Sequence, residues 1–191
     1  MSADMNKTAL RRIARAQRLQ AFQHDGSAAA HSVARHLMAV LENLPVVKVA
    51  GYWAVGSEMD LSPLLGNLDQ EGWRIALPVV VEEGAPLTFR RWRQGDALVE
   101  GPFKTLQPSE DCDVIIPDVI LTPLLAFDDA GYRLGQGGGF YDRTLEKLKK
   151  SEGGVISIGV AFAAQQVQVV PRDTHDQRLD MIVTEKGKIA L

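Results

Sequence analysis

The sequence predicts an α/β fold, a single three-layer α/β/α domain over residues 1–191 with a mostly parallel central sheet and an N-terminal basic helix. Short apolar, β-branched runs alternate with helical patterns, which is the order expected of a parallel sheet covered on both faces. No internal repeat or low-complexity linker divides the chain. The length of 191 residues also suits one domain.

The N-terminal region is predicted to form two helices. Residues 5–22 carry apolar side chains every three or four positions, with arginines on the other face, as in an amphipathic helix. Gly26 is a natural stop for this helix. A second helix is expected over residues 27–44 and is closed by Pro45.

Strands are predicted wherever an apolar run lies between breakers. Those segments are residues 46–55, 73–80, 86–92, 118–128, 155–162 and 179–185. Pro123 falls inside one of them, which indicates an edge strand or an irregular strand end. Shorter helices are expected over residues 60–68, with Asp60 as a candidate N-cap, and over residues 141–150. Ligands are expected at the carboxyl ends of the strands.

Composition excludes several classes of protein. Hydrophobic residues make up 46% of the chain, charged residues 24%, and the net charge is −3, so a water-soluble protein is expected. No apolar run approaches the roughly 20 residues of a membrane span, and no apolar signal core is visible at the N-terminus, so we expect a cytoplasmic protein without a membrane partner. The single cysteine, Cys112, excludes a disulfide framework and a cysteine-based zinc site.

The N-terminal segment is basic although the protein is acidic. Five cations in the first 18 residues face a single Asp4; they are Lys7, Arg11, Arg12, Arg15 and Arg18. Such a segment could bind nucleic acid or an acidic membrane surface, or one or two of its cations could reach a phosphorylated small ligand. No aromatic residues suited to base stacking are interleaved with these cations, and we expect no nucleic-acid partner.

The stretch "RLGQGGGFYDR", residues 133–143, contains four glycines in five positions ahead of a predicted helix. A glycine-rich turn at a helix N-terminus exposes backbone N–H groups and forms an anion site. The spacing is neither that of a P-loop nor that of a dinucleotide fingerprint, whose third glycine would fall on Phe140. Spacing alone leaves both a phosphate site and a structural turn open.

Charged neighbours suggest more specific chemistry. Arg133 and Arg143 flank the loop and could bind phosphate oxygens. Asp142 could hold Mg²⁺ or could stabilise the helix dipole. A further acidic cluster contains Asp173, Asp176 and Asp180. It could be a metal site or a solvated loop. Glu58 follows a predicted strand and could bind a ligand or face solvent; Tyr52 and Trp53 could line a pocket or belong to the core.

Residues 121–145, "LTPLLAFDDAGYRLGQGGGFYDRTL", closely resemble the motif of the 5-formyltetrahydrofolate cyclo-ligases, also called methenyltetrahydrofolate synthetases. The likeness extends to "KTALRR", "SEMD" and "HDQRLDMIVTE", in the family's order across nearly the whole chain. The resemblance implies an enzyme that uses ATP and Mg²⁺ to cyclise 5-formyltetrahydrofolate to 5,10-methenyltetrahydrofolate, releasing ADP and phosphate. A monomer is expected. The expected partners are therefore these small-molecule substrates.

The resemblance also implies roles for individual residues. Arg133 and Tyr141 are expected to be catalytic, and Asp142 and Asp176 to serve the metal. The expected ATP-binding residues are Lys7, Arg11, Arg133, Leu134, Gly135, Gln136, Gly137, Gly138, Gly139, Phe140 and Tyr141. The expected folate-binding residues are Trp53, Glu58, Gln136, Gly137, Gly138, Gly139 and Phe140. Gln136, Gly138 and Gln107 depart from residues common in relatives, and no role is assigned to Gln107.

Overall fold

The computed structural model describes residues 3–189 and 191, with side chains from Lys7 onward. The helices are α1 (Ala3–Leu41), α2 (Ser62–Gln70) and α3 (Phe140–Lys149), with 3-10 turns at Pro102–Lys104 and Ala163–Gln165. The strands are β1 (Lys48–Ala50), β2 (Arg74–Val79), β3 (Thr88–Arg91), β4 (Val99–Glu100), β5 (Leu106–Gln107), β6 (Val119–Pro123), β7 (Ala126–Phe127), β8 (Arg133–Leu134), β9 (Ile156–Val160), β10 (Met181–Thr184) and β11 (Gly187–Ile189).

A seven-stranded sheet has the order β11-β10-β9-β6-β1-β2-β3. The five central strands run parallel, and β3 and β11 pair antiparallel at the two edges. The predicted mostly parallel sheet is confirmed. Two small antiparallel pairs, β4 with β5 and β7 with β8, lie outside it.

The two faces of the sheet are covered by different helices. Val49 and Ile75 face a core cluster that includes apolar residues of the C-terminal half of α1 and the leucines of α2. Their neighbours Ala50 and Ala76 face the other cluster, which includes Leu145 of α3. Because side chains alternate along a strand, buried residues on both faces require cover on both sides. The three-layer prediction is confirmed.

Helix α1 has two halves separated by a kink. Asp25 has φ −159° and ψ 39°, which is not helical, so the break expected at Gly26 lies one residue earlier. The N-terminal half packs on the β7–β8 pair through fully buried Ala14, which contacts a small apolar cluster containing Leu125 and Leu134. This contact holds the basic segment, residues 7–18, beside the glycine loop, residues 135–139.

Several predicted boundaries are wrong. The strand expected over residues 46–55 is three residues long. Gly51, which follows it, lies close to α2, where a Cβ would be 2.8 Å from Leu65. Residues beyond it form a loop in which the Tyr52 hydroxyl donates to the carbonyl of Met59 (2.9 Å). Asp60 is not the N-cap of α2, which is Leu61, although its carboxylate accepts a hydrogen bond from the Ser62 N–H (2.8 Å).

The segment over residues 118–128 is two strands, because β7 leaves the main sheet to pair with β8. Pro123 ends the central strand β6, so the irregular-end reading is right and the edge reading is wrong. Strands β4, β5, β8 and β11 were not predicted. No helix in the described part of the chain has the length and hydropathy to cross a membrane.

Candidate active site

The glycine loop leads into α3 with exposed backbone N–H groups. Gly137 and Gly139 have φ values of +113° and +65°, which L side chains rarely adopt. Gly139 is the N-cap residue of α3, and no described side chain caps the helix, so its first N–H groups have no partner within it. A Cβ at Gly135 would meet no described atom within 4 Å. The loop thus offers an open anion site.

Two arginines of α1 contact this loop. The Arg11 Nε donates to the carbonyl of Gly135 (3.0 Å), and its guanidinium lies against Gly137, 3.5 Å from the position of a Cβ. Arg15 donates from Nε and Nη2 to the amide oxygen of Gln136 (3.1 and 2.9 Å). Because these arginines are four residues apart, they share one face of the helix.

Lys7 lies one helical turn before Arg11 and is almost completely buried. Its ammonium group donates to Asp176 Oδ2 (2.6 Å) and to Asp173 Oδ2 (2.9 Å). Burial lowers the pKa of Lys7, but the hydrogen bonds and charges of the two aspartates outweigh burial and raise it above its ordinary value. The lysine is therefore charged at neutral pH and joins α1 to the loop after β9.

Arg133 is buried and forms an ion pair with the partly exposed Asp142. Its Nη2 donates to Asp142 Oδ1 (2.7 Å), and its Nη1 donates to the carbonyl of Gln177 (2.8 Å). The Gln177 N–H returns a hydrogen bond to the same Asp142 oxygen (3.0 Å). These bonds connect β8, the first turn of α3 and the segment that contains Asp176.

Glu58 lies in the loop after β1 and is held by two donors. Its Oε2 accepts from the Val55 N–H (3.0 Å), and its Oε1 accepts from Nη1 of buried Arg18 (3.4 Å). Arg18 also donates from Nε to the hydroxyl of Ser57 (3.1 Å). Burial raises the pKa of Glu58 above its ordinary value, and the Val55 N–H and Arg18 oppose that shift without cancelling it.

Two tyrosines share the electrostatic environment of Glu58. Burial raises the pKa of both Tyr52 and Tyr141, and the negative charge of Glu58 raises both pKa values further. Arg133 opposes the shift at Tyr141. Both phenols therefore stay neutral at physiological pH and keep their O–H donors. Because one carboxylate influences both rings, the Glu58 loop and the start of α3 face the same region.

Both segments carry an aromatic pair, because Trp53 lies in the loop after β1 and Phe140 is the first residue of α3. Trp53 packs edge-on against Trp92, with ring centroids 5.9 Å apart. Phe140 packs edge-on against Phe103, with centroids 5.8 Å apart, and the Arg143 guanidinium lies over its ring. Phe103 is 64% exposed and has φ +61°, a strained conformation for an aromatic residue.

Residues 3–185 match the model of the 5-formyltetrahydrofolate cyclo-ligase family. The chain belongs to this family. A 5-formyltetrahydrofolate cyclo-ligase of Escherichia coli is 36% identical over 141 residues, which cover 71% of this chain and 76% of the relative. One of Haemophilus influenzae is 31% identical over 187 residues, which cover 93% of this chain and 95% of the relative.

Solved structures agree with the cyclo-ligase family. A 5,10-methenyltetrahydrofolate synthetase of Aquifex aeolicus has 30% identity and a TM-score of 0.77, covering 97% of this chain and 92% of that one. One of Mycoplasma pneumoniae has 23% identity and a TM-score of 0.74, with 94% and 98% coverage, a likeness that concerns the fold alone. The resemblance stated from the sequence motifs is confirmed.

The structure connects several of the predicted cyclo-ligase site residues by direct contacts, but Glu58 and Trp53 contact other residues. Lys7 reaches Asp176, the next residue Gln177 reaches Asp142, and Asp142 reaches Arg133. Leu134 differs, because its side chain is buried in the apolar cluster under α1. Asp180 also separates from the acidic cluster: its Oδ2 accepts from the Ser157 N–H and hydroxyl, and both its oxygens face Lys149. The functional roles of the connected residues remain predictions.

The family resemblance implies magnesium, and the residues present fit it. The hydrogen bonds to Asp142 among the described residues use Oδ1, and those to Asp176 use Oδ2. One oxygen of each carboxylate is therefore left for a cation. The described residues contain no group of three or more candidate metal ligands. Phosphate oxygens and water would complete the sphere, as is usual for Mg²⁺.

Sequence reasoning gave no site role to Arg15, Arg18, Phe103 or Gln177. The two arginines had a usable signal, because they continue the helical spacing of Lys7 and Arg11 on one face of α1. Phe103 and Gln177 had no such signal in the sequence. Both reach the site through tertiary contacts with residues that are distant from them along the chain. Gln107 accepts a hydrogen bond from the Val80 N–H (3.3 Å), which joins β5 to the end of β2.

Proposed function

We propose that this enzyme uses ATP to close 5-formyltetrahydrofolate to 5,10-methenyltetrahydrofolate, with release of ADP and phosphate. The observation that carries the proposal is the uncapped N-terminus of α3 behind the glycine loop, in a chain of the cyclo-ligase family. An exposed helix N-terminus favours a phosphate chain, and the cations of α1 lie along one side of it.

The ATP phosphates bind at the glycine loop in this proposal. The N–H groups from Gly137 to Tyr141 donate to no carbonyl in the described turns and loops, and Gly135 leaves space for the ligand because no side chain fills it. Arg11 contacts the loop through Nε, so its two terminal nitrogens are available for phosphate oxygens. Gln136, turned towards Arg15, orders the loop and supplies no charge.

The folate lies between the Glu58 loop and Phe140. A carboxylate offers about four acceptor positions, and Val55 and Arg18 occupy two of those of Glu58. The remaining two suit adjacent N–H groups of the pterin ring. Trp53, held against Trp92, provides a flat wall.

The reaction itself needs positioning and charge neutralisation more than covalent help from the protein. The formyl oxygen attacks the γ-phosphorus of ATP, and ADP leaves. N10 then attacks the activated carbon, the C–O bond breaks with departure of phosphate, and N10 loses its proton. Tyr141 keeps a neutral hydroxyl and so donates a hydrogen bond to substrate oxygen, while Arg133 positions Asp142 through their ion pair.

Asp142 and Asp176 hold magnesium in this proposal. When bound, Mg²⁺ would neutralise charge on the phosphate oxygens. Lys7 and Arg133 fix the two carboxylates in place before the metal arrives.

The deciding experiment mixes the purified chain with 5-formyltetrahydrofolate, ATP and MgCl₂ and follows the near-ultraviolet absorbance of the methenyl product. We expect product, ADP and phosphate in equal amounts, and no product without ATP. A folded protein that gives no product beside an active reference enzyme would overturn the proposal. Binding of both substrates without turnover would instead indicate a non-catalytic folate-binding module.

We further propose that the chain is one domain acting as a cytoplasmic monomer. The family match extends over residues 3–185 without interruption, and one free cysteine, Cys112, suits a reducing compartment. Size-exclusion chromatography with light scattering should give the mass of one chain, about 20.9 kDa. A dimer mass would refute the monomer proposal and leave the activity proposal unaffected.

A further inference from the structure

The ammonium group of Lys7 is a cation bound to Asp176, a predicted metal ligand. Lys7 is 6% exposed and lies between two carboxylates, 2.6 Å from Asp176 Oδ2 and 2.9 Å from Asp173 Oδ2. An ammonium group is a compact point charge with three donors, so carboxylate oxygens bind it much as they bind a small metal ion. This inference rests on the proposed function, in which Asp176 serves magnesium.

A divalent cation at Asp176 would meet this ammonium at close range. The Oδ2 of Asp176 is shared between Lys7 and the Asp173 N–H, so a metal bound through Oδ1 would lie on the same small carboxylate as the lysine charge. Like charges on one carboxylate repel, and they do so more strongly where water is excluded. Metal and Lys7 therefore compete for Asp176 while no nucleotide is present.

A bound nucleotide would offer the Lys7 ammonium group a second anionic partner. Arg11, one turn further along the same helix face, contacts the carbonyl of Gly135 in the glycine loop. One helical turn is about 5.4 Å, and the lysine stem is long and flexible. Phosphates bound at the glycine loop are thus within reach of the Lys7 ammonium after a change of side-chain rotamer.

We propose that Lys7 neutralises Asp176 in the nucleotide-free enzyme and transfers to the ATP phosphates when magnesium binds the same carboxylate. Lys7 thereby couples metal binding to nucleotide binding. Without nucleotide, the charge of Lys7 weakens metal binding to Asp176. With nucleotide, Lys7 contacts the phosphates and no longer weakens metal binding. A free divalent cation is then held weakly until ATP arrives.

The test measures metal affinity directly, in the full-length chain, with Mn²⁺ as the probe and electron paramagnetic resonance of free Mn²⁺ as the readout. Titrations are run with and without a non-hydrolysable β,γ-imido analogue of ATP, and the Mn²⁺–analogue complex is measured separately. Lys7→Met removes the charge, and Arg12→Met is the control, because Arg12 is an exposed cation on the same helix.

We expect Lys7→Met to bind Mn²⁺ about fivefold or more tightly than wild type without nucleotide, a typical coupling for linked sites. The tightening of Mn²⁺ binding by the analogue should shrink by the same factor, because Lys7 is proposed to leave Asp176 once the analogue is bound, so the substitution changes Mn²⁺ affinity only in the nucleotide-free state. Arg12→Met should behave as wild type in both titrations. Unchanged or weaker Mn²⁺ binding by Lys7→Met without nucleotide would overturn the exchange.

A second variant guards against a folding defect. Lys7→Gln keeps a donor for the aspartates and should show the same direction of change if circular dichroism reports Lys7→Met as unfolded. Turnover of wild type is recorded on the same preparation. Active wild type with no effect of either Lys7 variant rejects the exchange alone, whereas inactive wild type rejects the proposed function.

Discussion

At the scale of the residue, each carboxylate proposed for the site is already held by a cation from another element of the fold. Glu58 pairs with Arg18, Asp142 with Arg133, and Asp176 with Lys7. Each of the three cations is almost completely buried. Removal of one partner from such a pair leaves an uncompensated charge, which destabilises a fold more than loss of the whole pair.

Asp142→Asn tests this double role of Asp142. The substitution removes a proposed metal oxygen and the charge that compensates Arg133. We expect magnesium-dependent turnover to fall more than tenfold and the free energy of unfolding to fall by about 1–3 kcal/mol, measured by steady-state kinetics and urea denaturation. Glu146→Gln, on the exposed side of the same helix, should alter neither quantity. Wild-type turnover in Asp142→Asn would exclude Asp142 from the site.

Glu58 gives a prediction about pH. Burial raises its pKa above the ordinary 4.5, and it must be ionised to accept two pterin hydrogen bonds. kcat/KM for the folate should therefore fall as pH decreases through a pKa higher than 4.5, whereas the KM for ATP should change little. Glu58→Gln should raise the folate KM and lose this acidic limb. An acidic limb that persists in Glu58→Gln would assign it to another group.

The same pKa shift has a consequence for stability. The folded state binds the Glu58 proton more tightly than the unfolded state, so between pH 4.5 and the folded pKa the native state carries more protons. The contribution of Glu58 to the free energy of unfolding is therefore greatest at low pH and declines as the pH rises through that window.

At the scale of the element, the glycine loop contains glycines needed for different reasons. Gly139 requires its left-handed φ of +65°, and a Cβ there would also lie 2.6 Å from an Arg143 nitrogen. Gly135 has no left-handed φ, and a Cβ there would enter open space. Gly139 is needed to begin α3, whereas Gly135 is proposed to leave space for the ligand.

A pair of alanine substitutions separates these reasons. Gly139→Ala should lower the free energy of unfolding by about 1 kcal/mol or more, because alanine is strained at positive φ. Gly135→Ala should leave thermal and urea stability unchanged but raise the KM for ATP several-fold, because its methyl group fills the space proposed for phosphate. An unchanged ATP KM in Gly135→Ala would argue against phosphate binding at that position.

At the scale of the whole molecule, the N-terminal half of α1 brings three loops together. Its cations contact the glycine loop, the Glu58 loop and the acidic loop after β9. Its attachment depends on Ala14, which is fully buried against the β7–β8 pair. A change that detaches this half should therefore affect both substrates at once.

Ala14→Asp tests this arrangement, because it buries an unpaired charge beneath the helix. We expect the KM values for ATP and for the folate to rise together, and hydrogen exchange to increase in residues 3–24 while the central sheet stays protected. The control is Ile13→Asp, since Ile13 is adjacent and 50% exposed. If only one KM responded to Ala14→Asp, α1 would serve one substrate and not both.

Local patterns predicted much of this protein. The alternation of strands with helices, the break near Gly26 and the glycine turn ahead of α3 depend on neighbouring residues, and all three are present in the structure. The boundaries that failed depend on distant contacts. The strand after residue 46 ends beside Gly51, on which Leu65 of α2 packs, and the β7–β8 pair forms only because the chain returns on itself after Asp128.

The sequence by itself determined the fold class, the family and the residue types of the site, because periodicity and a contiguous motif are local properties of the chain. The tertiary structure decided which charged side chains form ion pairs. It pairs Lys7 with Asp176, 169 positions away, and Arg18 with Glu58, 40 positions away. No spacing rule joins residues so far apart. They meet because α1 packs across the carboxyl edge of the sheet, where it buries the charges that the loops present.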